Sequence, residues 1–163
     1  MSEFKNITIA VVTVKGSKMR PLIQDYEDYI AEYNVEDSNS EFFAKIVSTQ
    51  PSNIYSFFKN NISFKEDDSI VRIADAFNKD PNVMAVVCDG FRKNNNIKQP
   101  YYLDTNHLAN LDESIPIFFH KNIVTSINFS QNPYAVLTET LNKCLSQNKL
   151  TIHIADPLIV IHE

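Results

Sequence analysis

Glycine is nearly missing from this chain: only Gly16 and Gly90 occur in 163 residues. Loops that wrap phosphate groups rely on glycine for close backbone approach and positive φ. No glycine-rich loop is present, so P-loop and dinucleotide-fingerprint readings fail. Cysteine is as scarce. Cys88 and Cys144 lack the CxxC spacing of a metal cluster, and both read as reduced, packed thiols. Basic residues are outnumbered, 15 Lys and Arg against 20 Asp and Glu, for a net charge of −5. That balance argues against nucleic acid held by a broad basic face, which needs clustered Lys and Arg. Long apolar runs are absent too. None nears the ~20 residues that span a bilayer, and residues 1–6 show no basic segment ahead of an apolar core. These absences predict a cytoplasmic protein, or one incorporated in a particle assembled there, with no membrane span.

What is present is ordinary globular material. A chain with 44% hydrophobic and 21% charged residues fits a single α/β domain over residues 1–163. Roughly two thirds of its unfolded surface can be buried, so no disulfide or metal is needed to hold it. Asn, Lys and Ile are abundant, including the run Asn94-Asn95-Asn96. This bias toward AT-rich codons points to a bacteriophage or a low-GC bacterium.

Residues 7–14 (ITIAVVTV) are β-branched and apolar throughout, as in a buried central strand. Residues 20–33 carry Leu22, Tyr26, Tyr29, Ile30 and Tyr33 at helical spacing, with Pro21 in the first turn. Residues 34–40 read as a loop. Residues 42–48 (FFAKIVS) predict a second strand, and residues 53–60 a helix behind Pro51. A short extended piece at 61–64 precedes an amphipathic helix over 69–78, marked by Ile70, Ile73, Ala74 and Phe77. After a turn at 79–82, residues 83–88 predict a buried strand, 89–100 a polar loop and 101–103 a short strand. Residues 115–120 are an apolar segment whose Pro116 suits a sheet edge. A helix over 134–147 follows Asn132-Pro133, and strands at 151–155 and 158–162 flank a turn at Asp156-Pro157. Strands alternating with helices predict an α/β fold built as a three-layer, mostly parallel sheet flanked by helices.

From Glu66 onward the order of blocks resembles that of family-2 glycosyltransferases of the GT-A fold, the nucleotide-diphospho-sugar transferase-like class. An acidic cluster, Glu66-Asp67-Asp68, leads into the helix that reaches Phe77. Asp80-Pro81-Asn82 turns into VMAVVCD, which ends in Asp89. IPIFFHKNIV (115–124) follows, then the helix to Gln147, then TIHIADPLIVIH (151–162), closing on His162. By that resemblance Asp68 would bind a divalent cation with Asp67 beside it. His162 would add a nitrogen ligand, and Asp89 would line the acceptor side. Hard oxygen ligands suit Mn²⁺ or Mg²⁺, which would neutralise a departing nucleotide diphosphate. Plainer roles stay open. Acids ahead of a helix cap its free N–H groups and favour its dipole. His162, like His107, His120 and His153, reads equally as an ordinary histidine.

The same resemblance shows what is missing. Only one strand and one helix fit between the opening strand and the acids, where the family fits more to hold a nucleotide. The family's second strand ends in an acidic pair, whereas Ser48-Thr49-Gln50 stand here. An inverting transferase needs a carboxylate base. Pro133-Tyr134 occupy the family's place for it, and Glu139 lies more than a turn further on. These departures predict a glycosyltransferase-like pseudoenzyme that acts as a binding, structural or assembly protein, such as a phage virion component, with protein partners and no cofactor. The alternative is an active, compact glycosyltransferase that needs Mn²⁺ or Mg²⁺ and a nucleotide-sugar donor. A third reading is an unrelated α/β domain of similar pattern. Tyr26, Tyr29, Tyr33, Tyr101 and Tyr102 are candidates for an interface, or for packing inside.

Overall fold

The computed structural model of the chain describes residues 7–14, 30–59, 61–65, 68–104, 108, 111–129, 132–147 and 149–163. The β-branched opening run forms β1 (Ile9–Val14), buried nearly throughout. β2 (Ile30–Val35) and β3 (Ile54–Phe57) both pair parallel to it, one on each side. α1 (Ser40–Thr49) connects them. β4 (Asn61–Phe64), α2 (Asp68–Asn78), β5 (Val83–Asn94) and β6 (Ile97–Tyr101) follow, then β7 (Phe118–His120), α3 (Lys121–Val124), α4 (Pro133–Ser146) and β8 (Leu150–His162). Seven strands form one path, β2-β1-β3-β7-β5-β8-β4, and β6 is an eighth strand joined to β5.

The expected three-layer, mostly parallel sheet gives way to a mixed one. Parallel pairs join β1–β2, β1–β3 and β5–β8, but β3–β7, β5–β7, β5–β6 and β4–β8 are antiparallel. The sheet curls as a half-barrel. One cause is local. Asn94 pairs with Ile97, leaving Asn95-Asn96 as a two-residue turn, and a connection so short can join only antiparallel strands. Asn95 takes a positive φ of 55°, which asparagine tolerates better than other side-chain-bearing residues.

Several predicted elements change identity. Residues 42–48 are helix, not strand. Asn39 caps α1 by accepting from the Glu41 N–H at 2.8 Å, and Phe43, Ile46 and Val47 fall on one helical face, all within one apolar cluster. The helix predicted at 53–60 is β3. All four of its residues are buried, so no polar alternation betrays a strand. Ile30 and Tyr33, the end of the helix predicted at 20–33, lie in β2; residues 20–29 lie outside the described residues. The predicted loop at 89–100 is the second half of β5 and most of β6. The predicted turn at Asp156-Pro157 is a bulge inside one strand. Opposite β5 the register passes from Cys88↔Ile154 to Asp89↔Pro157 and then Gly90↔Ile159. A proline inside a sheet is tolerated at such a break. β4, α2, α4 and the turn at 79–82 form as predicted. Residues 118–120 form β7 between β3 and β5, not at the sheet edge that Pro116 suggested, because Pro116 lies ahead of the strand.

Each face of the sheet has its own apolar cluster. One joins Ile9, Val11, Ile62, Phe118, Ile159 and Ile161 to Ile70, Ile73, Ala74 and Phe77 of α2. The other joins Ala10, Val12, Tyr55, Phe57 and Phe119 to Phe43 of α1 and Tyr134, Leu137, Leu141 and Cys144 of α4. The alternation of Ile9, Val11 against Ala10, Val12 shows the period of two that divides them. Gly90 is required where β5 crosses the break. A Cβ there would lie 2.6 Å from the Ile159 carbonyl oxygen and 2.8 Å from the Tyr101 ring. Gly90→Ala is therefore expected to cost about 2 kcal/mol, read as a lower urea midpoint at unchanged slope. An unshifted midpoint would mean that the backbone opens freely at this point.

Candidate functional site

The break between β5 and β8 holds Asp89, the one charged side chain that is buried among the described residues. Asp89 is 4% exposed. Its Oδ1 accepts from the Leu103 N–H at 2.8 Å and from His153 Nε2 at 2.7 Å. His153 itself retains 12% side-chain exposure. Tyr101 lies over Gly90, and its hydroxyl donates to the Cys88 carbonyl at 3.3 Å. Burial, reinforced by neighbouring Cys88, holds the Tyr101 phenol well above its usual range. Burial also pushes the Cys88 thiol up to about 12, with the Asp89 carboxylate adding to the rise. A thiol held protonated in this way is a poor nucleophile. Cys144 is raised by burial as well. Both cysteines are free and buried, as their sequence context predicts.

The residues singled out by the glycosyltransferase resemblance fall in separate places. Asp67, with Glu66, lies outside the described residues, as does His107. Asp68 opens α2, where a carboxylate favours the helix dipole. Lys65 donates its N–H to the Leu158 carbonyl, and Arg72, one turn into α2, contacts the Asp156 carboxylate. These contacts set the start of α2 alongside residues 156–158. His162 pairs with Asn61 at the far end of the β4–β8 ladder, its Nε2 2.9 Å from Ser63 Oγ. At ~3.3 Å per residue, about 13 Å of strand separates His162 from Leu158. Among the described residues no three His, Cys, Asp or Glu side chains form a group able to hold a metal ion. Asp89, expected on the acceptor side, is enclosed by Leu103 and His153. His153 was read as an ordinary histidine. Nothing in TIHIAD reveals its partner, because the two meet only through the β5–β8 register. His120 caps α3, accepting from the Asn122 N–H at 3.0 Å. Burial, then Lys121, lowers its pKa.

Hollows occur elsewhere among the described residues, two of them large enough for a small molecule. Glu139 lines one of about 300 Å³, with Lys143, Thr140 and Asn128. A second, of about 460 Å³, lies between Asp80, Met84 and Lys149. Neither includes Asp68, Asp89 or His162. No described helix is long and apolar enough to cross a membrane. Of the candidate tyrosines, Tyr26 and Tyr29 lie outside the described residues. Tyr33 packs against the α1–α4 cluster and Tyr101 against the α2 cluster. Tyr102 is 75% exposed.

Past the break, among the described residues, the sheet carries an apolar cluster on one face only. The register puts Ile62, Phe64, Ile159 and Ile161 on the α2 face. On the opposite face it aligns Asn61 and Ser63 of β4, Val160 and His162 of β8, Phe91 and Lys93 of β5, and Lys98 and Pro100 of β6. None of these eight residues belongs to either core cluster. Lys98 Nζ stands 4.3 Å from the centre of the Phe91 ring, and Lys65 Nζ 5.6 Å from it. Val160 at its centre is buried, Asn61, Ser63, Phe91, Lys93 and His162 are half-buried, and Lys65, Lys98 and Pro100 are exposed. The result is a four-stranded face with one aromatic ring amid cations. No protein-family model matches this chain, and no curated protein matches it either.

Proposed function

We propose that the chain is a binding or assembly domain for protein partners, without catalysis of its own, acting in the cytoplasm or in a particle assembled there such as a phage virion. The open β4–β8–β5–β6 face carries this reading. A sheet face that holds an aromatic ring beside cations, with no helix of either core cluster over it among the described residues, has the character of a contact surface. The internal use of Asp89 supports it from the other side, since that carboxylate is committed to Leu103 and His153. On this reading the glycosyltransferase-like order of blocks is ancestry without chemistry.

The test is calorimetry of the intact chain against a panel of UDP- and GDP-sugars with Mn²⁺. Silence across the panel, from protein shown to be folded, is the expected result. Saturable binding that Asp68→Ala abolishes would replace the proposal with an active, metal-dependent glycosyltransferase.

A further inference from the structure

We propose that the open β4–β8–β5–β6 face docks an acidic segment of a partner protein. The inference rests on the binding role proposed above and specifies the chemistry of the partner. The chain as a whole carries a net charge of −5, yet the register places no carboxylate among the residues of this face. Lys93 stands directly opposite Lys98 on β6, and on its other side it is aligned with His162 on β8. Like charges set directly across a sheet are destabilising. Among the described residues neither lysine forms an ion pair. The fold gains nothing from facing two cations at each other, whereas a bound carboxylate would relieve their repulsion. Phe91, with Lys98 and Lys65 over its ring, offers apolar contact beside that charge. An acidic segment carrying some apolar side chains satisfies both.

Partner recognition falls to the face and not to the edge of β6. Pro100 pairs with Phe91 and has no N–H to give β5. The backbone groups of residues 98 and 100 therefore point outward, and the outer edge lacks the Pro100 donor. A proline and a lysine on an edge discourage strand addition. Nucleic acid fits less well. A single ring gives no run of stacking platforms, and the surrounding excess of acids repels a polyphosphate.

The test is fluorescence anisotropy of the intact chain with a fluorescein-labelled peptide of Glu interspersed with Leu, beside its Gln-for-Glu counterpart and labelled oligo-dT. Saturable binding of the acidic peptide is expected, weakened by added salt, with the Gln peptide inert. Charge reversal by Lys93→Glu with Lys98→Glu should weaken it about tenfold or more. Lys98→Glu alone turns a like-charge pair into an opposite one but gives up the cation over Phe91, so Tm should stay within about 2 °C of the parent. A marked fall in Tm would make the lysine pair structural and overturn the proposal. So would absent binding, binding indifferent to the double reversal, tighter capture of oligo-dT, or self-association in sedimentation velocity that the double reversal abolishes. Failure here with silent nucleotide-sugar calorimetry removes this face but leaves the binding role. Saturable nucleotide-sugar binding removes the role itself.

Discussion

Phe43→Ala is expected to lower stability by about 4 kcal/mol. Phe43 is fully enclosed and is the only residue of α1 that is buried. Its ring centre lies 4.9 Å from that of Phe57, 6.0 Å from that of Phe129 and 5.7 Å from that of Tyr134. The last two rings meet it edge-on, the geometry that the aromatic quadrupole favours. Truncation removes the apolar burial, leaves a cavity between α1, β3 and α4, and strips those ring contacts together. In a domain of this size the loss corresponds to a fall in Tm on the order of 10 °C. Phe43→Leu, which fills much of the same space, should cost about 1.5 kcal/mol. Urea denaturation of the three proteins measures both. Hydrogen exchange adds a local check, because α1 has no second buried anchor and its amides should lose protection before those of β1. Equal midpoints for Phe43→Ala and the parent would show that α1 is held by something other than this ring.

The same residue shows why the sequence misleads here. FFAKIVS is apolar enough for a strand and too short for its period to decide. Phe43, Ile46 and Val47 have helical spacing, and Asn39 is a good cap, but those signals sit beside Phe42, Ile46 and Val47 as a plausible strand run. β3 fails in the opposite direction. Ile54, Phe57 and Phe58 have helical spacing by accident, because a strand with both faces buried shows no alternation. The exposed half of β5 and β6 was hidden for a third reason. FRKNNNIKQPY is polar because β6 is exposed on both faces as far as Pro100 and the hairpin tip is exposed, and polarity with Asn and Pro mimics a loop. Where burial is one-sided and the period long enough, as in α2, the sequence is legible: Ile70, Ile73, Ala74 and Phe77 mark its buried face directly.

The mixed sheet follows from those misreadings. A helix at 53–60 would have separated the opening strand from the rest of the chain. As strand, the segment sits between β1 and β7 and accepts an antiparallel neighbour on one side and a parallel one on the other. The candidate residues suffered differently. Asp89, expected to end its strand, lies inside β5, which runs on to Asn94. His153 is 64 residues further along the chain, and only the parallel β5–β8 pairing, with its break at this point, brings them to 2.7 Å.

Asp89→Ala is expected to cost about 3 kcal/mol, because it removes the acceptor that both the Leu103 N–H and His153 use in a buried setting. Asp89→Asn keeps the Oδ1 that both donors share and loses only the charge, and should cost about 1 kcal/mol. His153→Ala leaves the carboxylate, 5% exposed on its side chain, with the Leu103 N–H as its remaining donor among the described residues. It should fall between the two. The double variant Asp89→Ala/His153→Ala should lose less than the sum of the singles, by roughly 1 kcal/mol or more, because each single change already breaks their shared contact. Urea midpoints at one pH give all four values. The sign of the first decides what the carboxylate is for. An acid kept for a ligand or for catalysis sits in a site that is strained with it, so its removal is neutral or stabilising. An acid kept for the fold holds the β5–β8 break closed, and its removal must destabilise. A stable Asp89→Ala protein would return Asp89 to the list of functional groups and would count against the internal role that supports the proposed binding function.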